Sequence, residues 1–403
     1  MAIWVKGLPR EIWALGFVSM FMDISSEMIH SLLPVFLVTV IGSSALSVGL
    51  IEGVAEATAL ITRIFSGALS DFLGKRKALA IAGYALGTLT KPLFALSSTV
   101  GLVFTARFFD RVGKGLRGAP RDALIADVTP AHNRGAAYGL RQSLDTLGAL
   151  IGPLLAMGLM VVTAGDFRQV FWVAVAPGSL AVAVLFFMVK EPGAVPVKAK
   201  RKLIDLREIF QLKPAYWMVV AFGSIFALAR FSEAFLLLRA QSVHMNTNMI
   251  PVVLVVMNIF YTLTSYPVGR LSDRLGRTGL LAAGLGVLIL SDLVLAVAET
   301  GWTVAAGTAL WGLHMGLSQG LISAMVADTA PQDLRGTAFG VFSMVSGITL
   351  LFSSVIAGCL WDIFGAPATF FAGAAFAAIA LLGYVFLLRR APSDRGNGGG
   401  NCG

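Results

Sequence analysis

Long apolar stretches alternate with short polar segments along the whole chain. About 20 apolar residues are enough for a helix to cross the hydrocarbon core of a membrane. We predict membrane-spanning helices over 12–40, 46–70, 78–97, 100–122, 135–163, 167–189, 214–240, 249–270, 278–298, 300–326, 335–361 and 366–388. A membrane β-barrel is excluded because these runs do not alternate apolar and polar residues. The pattern therefore predicts an all-α membrane protein with twelve transmembrane helices.

The composition agrees with a membrane protein. Hydrophobic residues make up 57% of the chain and charged residues 13%, whereas about 25% of a soluble domain is charged. Because the first span carries Asp23 and Glu27, we do not expect a cleaved signal peptide. Cys359 and Cys402 are too few for a disulfide framework or a metal cluster. No residue pattern is typical of an enzyme, and we expect neither a cofactor nor a bound metal.

Two motifs recur half a chain apart. Residues 126–139 and 327–340 share the pattern Ala-Asp-x-x-Pro-x-x-x-Arg-Gly-x-Ala-x-Gly, which places Asp127 and Asp328 201 residues apart. Residues 67–75 and 269–277 share Gly-x-x-x-Asp-x-x-Gly followed by Lys or Arg, at an offset of 202 residues. The repeat predicts two pseudo-symmetric six-helix bundles that face each other.

The repeat and the polar segments together divide the chain. We predict an N-terminal six-helix bundle over 1–190, a cytoplasmic linker over 191–213, a C-terminal six-helix bundle over 214–390 and a disordered cytoplasmic tail over 391–403. Apolar residues at helical spacing in the linker predict an amphipathic helix on the membrane surface, either a tether or a regulatory element. Basic residues such as Lys75, Arg76 and Lys77 cluster on one side, so we place both termini in the cytoplasm and the chain in the cell inner (plasma) membrane. The net charge of +9 fits contact with anionic lipid, without nucleic acid as a partner.

Ionisable residues inside the predicted spans are the main functional signal. Each charge facing lipid would cost about 2.5–3.5 kcal/mol, so these residues must pair with one another or line a water-filled cavity. We predict the following proton-coupling residues, with Glu27 as the first choice among carriers: Asp23, Glu27, Glu52, Glu56, Arg63, Arg111, Arg141 and Asp145. The alternative is that they form structural ion pairs.

A second group of polar and aromatic residues is predicted to line a substrate cavity. Its members are His30, Arg107, Lys114, Arg230, Glu233, Asn258, Tyr261, Trp311 and His314. A single histidine on an apolar helix is also compatible with packing, which remains the alternative for His314. Arg117 and Arg121 are near a membrane boundary, where they are either inward or extended toward the headgroups.

The repeated loop motif is predicted to act as a conformational gate on the cytoplasmic side. Gly74 suits a left-handed backbone, and Asp71 suits a helix end or a base across the bundle interface. The predicted gate residues are Gly67, Asp71, Gly74, Lys75, Arg76, Asp273, Gly276, Arg277, Gly148, Gly152 and Pro153. The basic members could instead only anchor the chain at the membrane. We expect the stripe of Arg141, Asp145, Gly148 and Gly152 to face the opposite half, although small residues also permit close packing.

These motifs resemble those of a known family. The loop motif at 67–76 and its copy are similar to the loop signature of the major facilitator superfamily. Gly139-x8-Gly148-x3-Gly152-Pro153 resembles the antiporter motif of its twelve-span drug:proton antiporter branch, with Ala156 and Met157 in place of a closing glycine pair. Arg111-x-x-Lys114-Gly115-x-Arg117 resembles that branch's proton-transfer motif, with Lys114 where glutamine is usual. The resemblance implies the major facilitator fold and a transporter, and Lys114 indicates a divergent substrate.

Three function classes follow from this reading. The first is a proton-coupled exporter of a small organic solute that works by alternating access as a solute:proton antiporter. The second is a proton-coupled importer of an organic anion or nutrient, favoured by the basic stripe of the fourth span. The third is a non-transporting membrane receptor or scaffold, which would not need so many buried charges. We expect a monomer whose partners are a small-molecule substrate, protons and membrane lipid.

Overall fold

The computed structural model describes residues 8–130, 133–191, 212–275, 277–331 and 334–390, and the regular structure of these residues is helical. The first half contains α1 (Arg10–His30), α2 (Leu33–Thr39), α3 (Ala45–Leu73), α4 (Arg76–Leu96), α5 (Val100–Val128), α6 (Arg134–Val162), α7 (Phe167–Val173) and α8 (Val175–Met188). The second half contains α9 (Pro214–Leu228), α10 (Ala234–Ser242), α11 (Val252–Leu275), α12 (Arg277–Ala296), α13 (Gly301–Thr329), α14 (Arg335–Phe364) and α15 (Ala366–Arg390). A short 3-10 helix, Thr247–Met249, precedes α11.

These bounds confirm the prediction of an all-α membrane protein. In the described ranges, nine helical segments are long and apolar enough to cross a membrane. The first, seventh and sixth spans are each made of two helices, namely α1 with α2, α9 with α10 and α7 with α8. The α5 helix lies at a predicted span but is far more charged than its neighbours, so its polar face must be enclosed by other helices.

Local sequence signals explain several helix ends. Ser44 and Thr99 precede α3 and α5, and their side chains accept hydrogen bonds from the backbone amides of Ser47 and Leu102. Gly74 ends α3 with φ of +61°, which confirms the left-handed conformation predicted for it. A side chain at this position would strain the backbone.

The sequence repeat is visible in the helix bounds. The α5 and α13 helices begin at Val100 and Gly301 and end at Val128 and Thr329, so both ends are 201 residues apart. Arg134 Nη2 donates to the Ala126 carbonyl at 3.2 Å, and Arg335 Nε donates to the Ala327 carbonyl at 3.2 Å. The two copies of the motif therefore join consecutive helices in the same way.

The two halves meet along helices that approach closely. The α3 helix packs against α14, α2 against α10, and α6 against α11. Glycines permit the α3–α14 approach, because a Cβ atom on Gly53 would lie 2.9 Å from the Leu351 Cα. At the far side, defined here as the membrane side where α2 ends, Asp362 accepts hydrogen bonds from the backbone amides of Ala45 at 3.0 Å and Leu46 at 2.9 Å.

Some predicted features lie outside the described residues. These are most of the linker with its amphipathic helix, the tail at 391–403, and Gly276. Asp71, Asp273 and Arg277 belong to described helices, but their side chains are outside the described part. The domain boundaries and the roles of these residues therefore stay predictions.

Candidate functional site

A cavity of about 550 Å³ lies between the two halves, and helices of both halves line it. Its charged and polar lining comprises Glu27, His30, Glu56, Arg111, Lys114, Arg230, Ser232, Glu233, Gln319, Ser323 and Ser346. Its apolar lining includes Phe226, Phe231, Phe342 and Leu350. The structure thus brings predicted coupling and substrate residues from both halves to one space, large enough for a small organic molecule.

The first-half wall of the cavity carries a chain of ionisable contacts. His30 Nδ1 lies 3.3 Å from Glu27 Oε2, and His30 Nε2 lies 3.8 Å from Glu52 Oε2. Glu52 is buried behind the wall, where its Oε2 accepts a hydrogen bond of 2.6 Å from Arg107 Nη2. The helix break after α1 places the His30 ring between the two carboxylates. A proton on this ring would interact favourably with both of them.

Asp110 connects this series of ionic contacts to the rest of the cavity wall. Lys91 Nζ donates to Asp110 Oδ1 at 2.8 Å, while Arg107 Nη1 and Arg111 Nε lie 3.8 Å from Asp110 Oδ2. Arg111 continues the chain to Glu56, whose Oε1 lies 3.2 Å from Arg111 Nη1. One continuous network, called the central network below, therefore runs through Glu27, His30, Glu52, Arg107, Asp110, Lys91, Arg111 and Glu56.

Direct contacts alone give the central network one more carboxylate than cations when His30 is neutral, and Lys114 on the same cavity wall supplies a fourth positive charge that acts on Glu27 and Glu56. In the direct contacts, four carboxylates face the cations Lys91, Arg107 and Arg111. A net charge inside a membrane is costly. With Lys114 included, four carboxylates face four cations on this wall. The cavity wall therefore carries ionisable side chains of both signs in mutual contact.

A second ionic cluster lies nearer the terminal side, the membrane side where α1 begins. Asp145 Oδ2 accepts from Arg141 Nη2 at 2.6 Å, and Asp145 Oδ1 lies 3.9 Å from Arg121 Nη1. Arg121 and Arg63 both pair with Asp122, at 3.2 and 3.1 Å. The predicted coupling residues Arg63, Arg141 and Asp145 are therefore in this cluster and not in the cavity lining. Asp23 on α1 lies near Asp145 and is also absent from the lining.

Arg117 and Arg121 point inward, so extension toward the headgroups was the wrong alternative. The Arg117 guanidinium lies over the Tyr84 ring at 4.9 Å. Arg121 Nη1 donates to Ser19 Oγ at 3.0 Å. Both arginines are thus enclosed by helices of their own half, where ring and hydroxyl partners replace water.

The second half contributes a smaller polar group to the cavity. Arg230 lies in the break between α9 and α10, and its Nη2 donates at 3.0 Å to the Gln319 side-chain oxygen in the amide orientation that satisfies both groups. Glu233 borders the same space one turn later. Arg230 and Glu233 therefore border the same cavity as the charged wall of the first half, and their role in substrate binding stays a prediction.

Other residues predicted for the substrate cavity do not line it in the described structure. They are Arg107, Asn258, Tyr261, Trp311 and His314. Arg107 is buried behind the wall and holds Glu52. His314 Nδ1 lies 3.0 Å from the Gly284 carbonyl, and its ring packs near Phe226. For His314, the packing interpretation therefore fits the structure, because tertiary packing turned its side of α13 away from the cavity.

The glycine stripe of α6 does not face the opposite half, so that expectation was wrong. A Cβ atom on Gly148 would lie 2.6 Å from the Met20 carbonyl oxygen, and one on Gly152 would lie 2.7 Å from the Glu27 Cβ. Both glycines therefore pack against α1 of their own half. Spacing along α6 defined one stripe, but it did not indicate which helix would cover it. The stripe holds Glu27 in place on the cavity wall.

Sequence reasoning gave no role to several residues that complete the site. Asp110 connects three cations, Lys91 is its closest partner, and Gln319 binds Arg230. Asp110 lies three residues after Arg107, a helical spacing that indicates contact. An isolated glutamine such as Gln319 has no comparable sequence signal.

A second cavity, of about 720 Å³, opens at the far side between the ends of α2, α10 and α14. It is larger than the central cavity, but its lining has few ionisable residues, chiefly His244 and Asp362. Asp362 is engaged with the first amides of α3. Because the central network is elsewhere, we regard this cavity as a vestibule and the central one as the candidate site.

Comparisons with known proteins place these features in context. The family model described as Major Facilitator Superfamily matches residues 15–238 and 231–401. The chain is 34% identical to the uncharacterized MFS-type transporter MJ1317 of Methanocaldococcus jannaschii, over 95% of this chain and 96% of that protein. It is 22% identical to the quinolone resistance protein NorA of Staphylococcus aureus, over 88% of this chain and 91% of that protein. The crystal structure of the nucleoside transporter NupG superposes with a TM-score of 0.78 at 13% identity, over 94% of this chain and 99% of that one, which confirms the predicted fold.

Proposed function

The chain belongs to the major facilitator superfamily and is a multi-pass membrane transporter, and we propose that it exports a small organic solute in exchange for protons. The observation that carries this proposal is the central network, because it brings ionisable side chains, with Glu27 and His30 in contact, to the wall of a cavity shared by both halves. Proton binding and solute binding there would influence each other through electrostatics.

In the proposed cycle, Glu27 and His30 form the proton entry point of the network. Glu27 lines the cavity and keeps a side-chain exposure of 21%, whereas Glu52 is 1% exposed. A proton on Glu27 weakens the pairing of Glu27 with His30, whereas a proton on His30 strengthens it, and in both cases Arg107 and Arg111 redistribute among the remaining carboxylates. The altered balance favours the opposite packing of the two halves, which is alternating access. Asp23, Asp145 and Arg141 act as a second relay toward the terminal side.

Export is supported by the similarity to NorA, a resistance protein, and by the partial antiporter motif in α6. We place the chain in the inner membrane as a monomer with both termini in the cytoplasm. The loop between α3 and α4 serves as a clamp. Arg76 Nη1, at the start of α4, pairs with Asp127 Oδ2, near the end of α5, at 2.7 Å. Gly67, Gly74 and Lys75 shape the same loop.

Import of an organic anion is the second candidate, and Lys114 favours it. This residue is exposed and lines the cavity, and among the described residues no carboxylate lies within 4 Å of its ammonium group. Arg111 and Arg230 also border the space. An anionic solute would find three cations there. Anion import predicts uptake that rises when the outside is acidified, whereas export by antiport predicts the reverse.

The direction can be measured with the purified protein in proteoliposomes. Counterflow with a compound panel first identifies a solute. An imposed pH difference of one unit then supports about a tenfold concentration ratio for one proton exchanged per solute. Antiport predicts accumulation on the more acidic side. Accumulation on the alkaline side would support the importer, and no effect of the gradient would refute proton coupling.

Glu27→Gln tests the proposed carrier. We expect the tenfold ratio to fall to about one, because the amide cannot exchange a proton, while solute counterflow without a gradient remains measurable. Glu11→Gln is the matched control, since Glu11 lies on α1 but outside the cavity lining. If Glu27→Gln accumulated solute as the wild type does, Glu27 would not be the carrier.

A further inference from the structure

Asp292 on α12 is an isolated acidic residue inside the second half. Its exposure is 0%, and neither carboxylate oxygen has a hydrogen-bond partner among the described residues. No ion pair in the described structure includes it. The central network does not extend to this residue, and none of the motifs or predicted sites contains it.

Asp292 lies beside Gly373 and Phe231, and Phe231 belongs to an aromatic cluster. A Cβ atom on Gly373 of α15 would lie 2.6 Å from Asp292 Oδ2 and 2.9 Å from Phe231 Cε1, so the carboxylate and the phenyl ring pack against the same glycine. Phe231 in turn contacts Trp311 and Phe370, with ring centroids 5.3 and 5.5 Å apart. The pocket is therefore apolar and closed.

The titratable groups on neighbouring elements have other partners or positions. Arg230, beside Phe231, is directed to Gln319. His314 on α13 is bonded to the Gly284 carbonyl, and Tyr384 on α15 packs against Phe222. Tyr261 on α11 packs against the apolar core that also contains Phe231 and Trp311. None of them donates a hydrogen bond to Asp292.

An ionised carboxylate without a donor in an apolar pocket is far less stable than the neutral acid. We propose that Asp292 is a second proton-binding site, which holds its proton as a carboxylic acid in this conformation and releases it when the surrounding aromatic side chains rearrange. This inference rests on the proposed proton-coupled transport for its use in a cycle, but the protonation itself does not. The proposed ligand is a proton, and the described residues contain no group of three or more His, Cys, Asp or Glu side chains that could hold a metal ion.

Phe231 supplies the route by which the proton would leave. One side of its ring borders the central cavity, and another packs beside Asp292 at Gly373. Phe231 lies in the break between α9 and α10, where a backbone rotation can move the ring. Trp311 Nε1 has no acceptor in the described structure and lies in the same cluster.

Infrared spectroscopy of the full chain in lipid nanodiscs tests this site without any solute. At neutral pH we expect an absorbance from a protonated carboxyl group that disappears in Asp292→Asn. Asp362→Asn is the matched control, since Asp362 is exposed and accepts two amide hydrogen bonds as a carboxylate, and it should leave the band unchanged. An unchanged band in Asp292→Asn would overturn the proposal. Loss of the wild-type band on addition of sodium chloride at constant pH would also overturn it, in favour of a cation site.

Phe231→Ala provides a second test that retains Asp292. In deuterated buffer the carboxyl band shifts as its proton exchanges. We expect exchange at least about tenfold faster in Phe231→Ala than in wild type, because exchange no longer waits for a local opening. Equal exchange rates would overturn the role of the ring. Neither infrared measurement uses transport. A negative antiport assay would therefore not contradict the proton at Asp292, and negative infrared results would not contradict antiport.

Discussion

At the position where α4 carries Lys91, α12 carries Asp292, 201 residues later. The same offset relates Asp110 to Trp311 and His30 to Phe231. In the first half, Lys91 and Asp110 form a buried ion pair of 2.8 Å. In the second half, the equivalent positions hold Asp292, which has no partner among the described residues, and Trp311, which belongs to an aromatic cluster. The two halves therefore share the positions of their helix ends but not the chemistry of their buried side chains.

The difference between the halves indicates a division of labour. The first half encloses charges that must be satisfied together, and any proton there is shared by a network. The second half encloses apolar packing around single polar residues, so a proton at Asp292 would depend on ring positions. We therefore expect the first-half wall of the cavity to respond to changes in charge, and the second-half interior to respond to changes in side-chain packing.

The largest expected effect comes from making one position of the first half resemble the second. Arg107→Thr places there the residue found at Thr308, and it leaves Glu52 buried without its 2.6 Å partner. We expect the free energy of unfolding to fall by about 3–5 kcal/mol, as when one member of a buried ion pair is removed. Unfolding in mixed micelles with increasing detergent denaturant measures the change.

Two variants sharpen this result. Glu52→Leu combined with Arg107→Thr reproduces Leu254 and Thr308 of the second half, and it should recover most of the loss because no unpaired charge remains. Arg63→Thr is the matched control, since the Arg63 side chain is 59% exposed and its pair with Asp122 is worth about 0–1 kcal/mol. Equal losses in Arg107→Thr and Arg63→Thr would show that burial of the network does not determine its strength.

An intermediate effect is expected where the halves differ in helix spacing. Thr349 stands 201 residues after Gly148, so the second half has a side chain where the first has none. In Gly148→Ala the new Cβ would lie 2.6 Å from the Met20 carbonyl oxygen. We expect a loss of about 1–3 kcal/mol from overpacking, measured by the same unfolding assay.

Gly139→Ala on the same helix is the control for this substitution. Nothing lies within 4 Å of a Cβ atom there, so we expect a change of less than about 1 kcal/mol, in the stabilising direction. If Gly148→Ala were as stable as Gly139→Ala, α1 and α6 would not be in close contact at Gly148.

The smallest effect concerns the contact between the halves at the far side. Asp362 of the second half caps α3 of the first half. The position 201 residues earlier is Val161, which cannot cap a helix with its side chain. Among the described residues, this capping contact between the halves therefore occurs once. Asp362→Ala should cost about 1 kcal/mol of cap energy and raise the population with separated far-side ends about fivefold. Distances between spin labels at the exposed positions 40 and 249 measure this population.

Asp166→Ala provides the comparison for that experiment. Asp166 caps α7 within the first half, with Oδ1 accepting from the Arg168 amide at 2.9 Å. Loss of this cap should not change the distance between the halves. Identical distance distributions for Asp362→Ala and wild type would show that Asp362 does not hold the far side closed.

Much of the architecture was predictable from the chain alone. Apolar runs located the spans to within a few residues for most helices, because a helix must bury its backbone polar groups and must be long enough to cross the membrane. The cost of buried charge also predicted that Glu27, Glu56 and Arg111 lie at an enclosed site. The spacing of Arg141 and Asp145 predicted their contact, since residues four apart share a helix face.

Tertiary structure alone decided which helix covers each face. It directed the α6 glycines to α1, enclosed His314 among packing residues, joined Asp110 to Lys91 across two helices and left Asp292 without a partner among the described residues. A sequence determines length, periodicity and the energetic need to pair, because these depend on local covalent geometry and on transfer from water. The choice of partner depends on how helices rotate and cross, and that follows from packing summed over the whole molecule.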